Sequence, residues 1–202
     1  MISIDPTLNS EKENYKLLTG SIIPRPIAFV TSMSSEGVLN GAPFSFFNVV
    51  TSNPPMISLS VQRKAGQMKD TARNILDLGE FVVHMVDEQN VGKANETSAS
   101  QPPSVSEVEL AGLTVVDSDE ISVPGVKEAK VRMECVLEKS LVLGNPENPA
   151  CDLIIAKVLK IHVAEEIYEE GKINPKALAA VSRLAGNNYG TLGDIFALER
   201  PL

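Results

Sequence analysis

The chain reads as mainly β with a few helices, arranged as a barrel, and three observations carry that reading. Seven runs rich in β-branched and aromatic residues recur along its length. Two of them, Lys130 to Leu143 and Leu153 to Val163, are long and flank Gly144-Asn145-Pro146-Glu147-Asn148-Pro149. That segment has the composition of a turn, so the two strands pair antiparallel. Clear helical periodicity is confined to one segment.

In chain order, Ile27 to Met33 is the first strand, led by Pro24-Arg25-Pro26, which cannot lie mid-strand or mid-helix because proline fixes φ and lacks a donor. A small-residue, proline-broken segment follows, then the strands Phe46 to Thr51 and Met56 to Val61. Asp70 to Leu78 is the clear helix. Asp70 can cap it, Ala72, Ile75, Leu76 and Leu78 supply its apolar positions, and Gly79 stops it. Phe81 to Val86 is a strand, Glu88 to Ser98 a polar helix broken by Gln101-Pro102-Pro103-Ser104, and Leu113 to Val116 a short strand. Glu165 to Glu170 reads as a solvated hairpin end. Asn174-Pro175-Lys176 starts a last helix through Arg183.

With 202 residues the chain is expected to be a single domain, 1–202, large enough for a sizeable core. A net charge of -8 argues against a nucleic-acid or anionic-membrane partner. No stretch approaches a membrane span, and Met1 to Ser10 lacks the features of a signal peptide, so a cytoplasmic address is expected. Cys135 and Cys151 are too far apart for a CxxC motif. Cys135 alternates with Met133 and Leu137 on an apolar face, as a core thiol would. His84 and His162 are too few for a metal site and read as structural; none is expected. Dinucleotide-fold, phosphate-loop and nucleophile-elbow motifs are all missing, which disfavours a Rossmann dehydrogenase, an NTPase and an α/β-hydrolase.

The most informative stretch is Gly20 to Ser32 with Asn40-Gly41-Ala42-Pro43-Phe44-Ser45-Phe46-Phe47-Asn48. Backbone groups, a hydroxyl, an amide and three phenyl rings between Asn40 and Asn48 suit a flat, polar-edged heterocycle. With Asn53-Pro54-Pro55, Lys69-Asp70-Thr71 before Asn74-Ile75, Arg183 with Gly186 and Tyr189, and Phe196 to Pro201, this order resembles the flavin reductase-like, FMN-binding split-barrel family, particularly its flavoredoxin branch. The resemblance implies an antiparallel, Greek-key-like split barrel that binds FMN, with Arg25 in the Pro-Arg-Pro-Ile strand and Ala42, Pro43, Phe44 and Ser45 against the flavin. It also implies a homodimer with each flavin at the subunit boundary.

An FMN site needs an anion pocket, polar groups for the ribityl chain and pyrimidine edge, and a dry wall. Ser60, Gln62, Arg63 and Lys64 end a strand beside cations, and Lys69, Asp70 and Thr71 open a helix, so Arg63, Lys64, Lys69 and Thr71 are the phosphate candidates. Thr31, Ser32, Ser45 and Asn48 offer the isoalloxazine edge hydroxyl and amide groups. Arg183 and Tyr189 match the family's C-terminal Arg-x-Gly-Gly-x-x-Tyr element near the flavin face, with Ala185 in place of its first glycine. His84 stands where relatives often carry Asn. The implied function is an oxidoreductase taking electrons from NAD(P)H to a flavin, metal or protein acceptor, with no catalytic residue of its own because flavin N5 carries the chemistry. Alternatives are a flavoredoxin-like FMN electron carrier without direct NAD(P)H activity, and a binding module that has lost the cofactor.

Overall fold

A computed structural model describes residues 1–201. Its centre is an antiparallel sheet of seven strands: β1 (Ala28–Met33), β2 (Leu39–Phe44), β3 (Phe47–Ser52), β4 (Pro55–Gln62), β5 (Glu80–Met85), β6 (Val131–Asn145) and β7 (Asn148–Val163). Their order in space is β2-β1-β5-β6-β7-β4-β3. The edge strands β2 and β3 are separated in sequence by Ser45 and Phe46 alone, so the two ends of the sheet must meet. The sheet therefore curls into a barrel. The Ser60 N–H donates to the Phe46 carbonyl at 2.8 Å, carrying the β3–β4 pairing into the connection, but among the described residues β2 and β3 form no ladder, and the barrel is split there.

Two apolar layers flank the sheet. Ala28 and Val30 of β1, Leu59 and Val61 of β4, Phe81 and Val83 of β5, and Ile154 of β7 point into the barrel with Cys135. Burial pushes the Cys135 thiol well above its usual range, as expected of an inert core thiol. The opposite residues of β1 and β5, Phe29 and Val82, pack under Val108, Leu113, Val123 and Val126 from the stretch between β5 and β6. Because both faces are covered, Ala28 to Ser32 is buried without a break. The far end of the β6–β7 hairpin has no such cover, and Leu141, Val142 and Leu143 are exposed.

Five helices complete the fold: α1 (Glu11–Ser21), α2 (Asp70–Leu78), α3 (Val91–Glu96), α4 (Glu107–Leu110) and α5 (Pro175–Leu178). α2 inserts Ala72 and Ile75 into the barrel interior and ends at Gly79, whose φ of +79° only glycine adopts freely. α4 approaches β2 so closely that a Cβ on Gly41 would lie 2.7 Å from Val108. Among the described residues no helix is long and apolar enough to cross a membrane.

Each predicted strand forms, and the acidic cluster lies at a hairpin in which Tyr168 pairs with Ile173. Several expectations need correction. The proline-broken segment is strand β2, which holds Pro43 because an edge strand can lack one ladder donor. α1 was not foreseen, although Ser10-x-x-Glu13 forms a full capping box. Asp70 is the first helical residue of α2, and the cap is Lys69, without a side-chain bond. The helix expected over Glu88 to Ser98 shrinks to α3 because Asp87 Oδ1 accepts from the Gln89 and Asn90 N–H groups and holds a turn there. The last helix stops at Leu178, where Ala179 turns left-handed (φ 52°). Ser182–Arg183 is then a short strand between Arg25–Pro26 and Tyr189–Gly190.

His84 and His162 are both structural anchors. Glu134 accepts His162 Nε2 at 2.6 Å and the Asp119 and Glu120 N–H groups at 2.9 and 2.7 Å, fastening that loop to β6. Asp119 lies close enough to share an ion with this pair, but it is paired with Lys160 at 2.8 Å. Burial would raise the Glu134 carboxyl, and these bonds more than offset it, holding it below the usual range.

His84 is fully buried behind β1, with Nδ1 3.0 Å from the Phe29 carbonyl and Nε2 accepting the Val126 N–H at 2.9 Å. This pair of partners fixes the neutral ring. Desolvation lowers its pKa to about 4. A histidine depressed in the folded state is protonated first in the unfolded chain, so its stability contribution is complete above about pH 6.5 and is lost as the pH falls toward 4. The loss by pH 4 is about 3 kcal/mol. Urea titrations at pH 7 and pH 4 are expected to show a loss that is larger in the wild type than in His84→Gln by about that amount, since carboxylates such as Glu134 add their own share to both.

Candidate functional site

On the β2 side of the seam lies a cavity of about 440 Å³ between the start of α2, the end of β2 and the loop after α3. Ala42, Pro43 and Phe44 form its apolar wall, and Lys64, Lys69, Asp70 and Thr71 stand at its polar end. Phe44 is 8% exposed, with the Lys69 ammonium 5.8 Å from its ring centroid. Sharing Pro43, Phe44 and Ser98 with it is a smaller cavity of about 220 Å³, reached by Ser45, Arg183, Tyr189 and Tyr15. The two make one bent trough around Phe44.

Cationic character concentrates at α2. The first turn of this helix has no side-chain cap, so its N–H groups face outward with the positive end of the helix dipole. Among the described residues neither Lys64 nor Lys69 pairs with a carboxylate. Burial, and then the Lys64 charge, hold the Lys69 ammonium below its usual pKa. Two uncompensated ammonium groups beside open helix N–H groups are the donor set that a phosphate monoester requires.

A buried polar network fixes the floor of this end. Thr71 Oγ1 donates to Asn40 Oδ1 at 2.8 Å, Asn40 Nδ2 donates to Glu107 Oε2 at 2.9 Å, and Asn74 Nδ2 reaches Ser32 Oγ at 3.2 Å. Thr71 and Ser32 therefore serve the scaffold with their side chains. The network ties the first turn of α2 to β1, β2 and α4, which sets where the helix N-terminus points.

The other expected residues lie elsewhere. Arg63 is engaged by Asp152, Nε at 2.9 Å and Nη2 at 2.6 Å, in a bidentate pair with a carboxylate that is 1% exposed. Arg25 is buried and donates to the carbonyls of Thr19, Ile22 and Leu184 at 2.6, 2.7 and 3.0 Å. Thr31 donates to the Pro124 carbonyl at 2.8 Å on the outer face of β1. Asn48 folds onto the Val49 N–H at 2.8 Å, the turn-capping role open to it from sequence. Gln62 donates to Ser60 at 3.0 Å on the outer face of β4.

Arg183 and Tyr189 do meet the trough. The guanidinium lies 4.4 Å from the Tyr189 ring and donates to the Gly186 carbonyl at 2.7 Å, while the Tyr189 hydroxyl donates to Asn95 Oδ1 at 2.8 Å. Asn40, Tyr15, Asn95, Ser98 and Gln101 were missed as lining residues. Asn40 opens the informative 40–48 stretch without having been singled out as a site residue; the other four belong to no motif with chemical content, and the loop at Gln101 carried only the signature of a helix breaker.

The flavin reductase like domain model matches residues 19–181. The nitrilotriacetate monooxygenase component B of Bacillus cereus is 61% identical, with a TM-score of 0.96 and 98% of each chain covered. The 2-nitrobenzoate 2-nitroreductase NbaA of Pseudomonas fluorescens is 31% identical at a TM-score of 0.89, over 99% of this chain and 96% of that one. The flavoredoxin of Methanosarcina acetivorans shares the fold at 20% identity, with a TM-score of 0.77 and coverage of 98% and 95%. With its split antiparallel barrel and the cationic trough at the seam, the chain belongs to the flavin reductase-like family.

Proposed function

We propose that this chain is an FMN-dependent oxidoreductase that takes electrons from NADH or NADPH and delivers them to a flavin, a metal chelate or a protein acceptor. The observation that carries the reading is the unneutralised Lys64–Lys69 pair at the uncapped N-terminus of α2, opening onto a cavity walled by Pro43 and Phe44. A 5′-phosphate compensates the lysines and the helix dipole, and an aromatic ring system covers the apolar wall. When bound, FMN supplies hydride acceptance and electron relay. The protein's own residues bind, orient and exclude water, and Arg183 and Tyr189 present a cation and an aromatic face to whatever enters the smaller cavity. Arg63 contributes through Asp152 by holding the end of β4 rather than by touching the phosphate.

The similarity to a monooxygenase component favours an oxygenase, served through reduced flavin, as the downstream acceptor. We also read the chain as a homodimer. Phe196 and Leu198 are 79% and 83% exposed at the C-terminal end, an apolar segment for which a second copy is the natural cover.

An anaerobic visible spectrum of the FMN-loaded protein tests the reading, with rapid bleaching expected on adding NADH or NADPH. A flavin band that bleaches only with dithionite would instead make the chain an electron carrier, and failure to bind FMN would leave a non-redox module. Lys64→Ala with Lys69→Ala is expected to weaken FMN binding by about 100-fold or more in a fluorescence-quenching titration, about tenfold for each charge-assisted bond. Arg63→Ala should chiefly lower the melting temperature, because it leaves the buried Asp152 carboxylate unpaired, and should change FMN affinity far less than the lysine pair does. Sedimentation equilibrium is expected to give a dimer, and truncation after Gly193 to shift it toward monomer.

A further inference from the structure

A third opening continues the trough. It is a groove of about 630 Å³, within the size range of small-molecule sites. It shares Asn95 and Tyr189 with the smaller cavity, and Val91 and Val181 give it apolar walls. On α3 beside it, Gly92 leaves open space where a side chain would stand, so a planar ring can approach the helix backbone. Asn95 spends its carbonyl oxygen on the Tyr189 hydroxyl, which leaves its amide N–H groups as donors at the junction of groove and cavity. The one charged residue among the described residues lining the groove is Glu88, which is exposed. Lys93, the nearest cation in sequence, is drawn away by the Gly112 carbonyl at 2.6 Å and by Glu128 at 3.6 Å.

We propose that this groove takes the adenosine half of a nicotinamide dinucleotide whose nicotinamide enters the smaller cavity, and that Glu88 makes NADH the preferred donor. The inference rests on the reductase reading above and adds the donor's site and identity. Continuity supplies the geometry, because a molecule spanning the Tyr189 boundary has one end beside Phe44 and the other beside Glu88. Charge supplies the choice. A carboxylate accepts hydrogen bonds from ribose hydroxyls, but it repels the dianionic 2′-phosphate of NADPH, for which the described residues lining the groove include no cation, Arg183 lying across Tyr189 at the nicotinamide end.

The test compares kcat/KM for anaerobic bleaching by NADH and by NADPH in the wild type, Glu88→Gln, Glu88→Lys and Gly92→Phe, each first shown to hold FMN and to bleach with dithionite. The wild type is expected to favour NADH by about tenfold or more, and Glu88→Lys to shift the NADPH:NADH ratio toward NADPH by about tenfold or more, with Glu88→Gln between them. Gly92→Phe should raise KM for both donors without changing FMN content, since its side chain occupies the groove. A wild type that favours NADPH overturns the role of Glu88. Ratios within about twofold of wild type in Glu88→Lys, with unchanged KM in Gly92→Phe, overturn the groove while bleaching leaves the reductase reading intact. No bleaching by either donor, with FMN bound throughout, overturns both.

Discussion

The structure depends on a two-residue connection. Ser45 and Phe46 join β2 to β3, the opposite edges of the seven-stranded sheet, and a link that short forces the sheet to curl until its edges meet. Closure is partial: among the described residues β2 and β3 form no ladder, and the bond from the Ser60 N–H to the Phe46 carbonyl only carries the β3–β4 pairing into the connection. A fully laddered barrel would have sealed this line. The split instead leaves Ala42 to Ser45 as wall on one side of an opening, and α2 fills the space behind it with Ala72 and Ile75. Fold and site thus share one cause.

Arg25 extends this constraint to the chain ends. Its guanidinium gathers the carbonyls of Thr19 and Ile22 at the end of α1 and of Leu184 just after the Ser182–Arg183 strand, from within the core. These same two segments send three residues to the smaller cavity: Tyr15 from α1, Arg183 and Tyr189 from the C-terminal part. A lysine could not do this, having neither the planar fork nor the reach to three carbonyls set apart. The buried Nε finds no partner among the described residues, so the three outward bonds must offset its desolvation.

Much of the fold was legible because its strands are long, β-branched and bounded by turn residues. The misses share a physical origin. β2 is poor in β-branched residues and contains both Gly41 and Pro43, each demanded by tertiary contacts, namely the close approach of Val108 and the edge position. The last helix was cut short by Ala179 turning left-handed so that Val181 could pack in the outer core, a choice that no local propensity records. At the site, residues were legible where chemistry is local. Lys64, Lys69 and Asp70 sit beside a helix start and do line the cavity. Arg63 looked equivalent to Lys64 in sequence, but strand register sets Asp152 opposite Val61, close enough for its carboxylate to capture Arg63, and pairing across a sheet cannot be seen from one strand alone.

That capture sharpens the electrostatics of the trough. The chain carries a net charge of -8, so a cluster of cations should find carboxylates nearby, and Arg63, Arg73 and Lys130 all do. Lys64 and Lys69 are the contrast: both line the cavity, among the described residues neither forms an ion pair, and burial first and the Lys64 charge second hold the Lys69 pKa down. A group whose folded-state pKa lies below its unfolded value weakens folding wherever it stays protonated, so Lys69 costs the protein stability at neutral pH. An anion placed between them reverses the sign of the local interaction. The Asn40–Thr71–Glu107 network holds the start of α2 in place, so any anion that binds there acts on the same charge whose burial costs the fold stability.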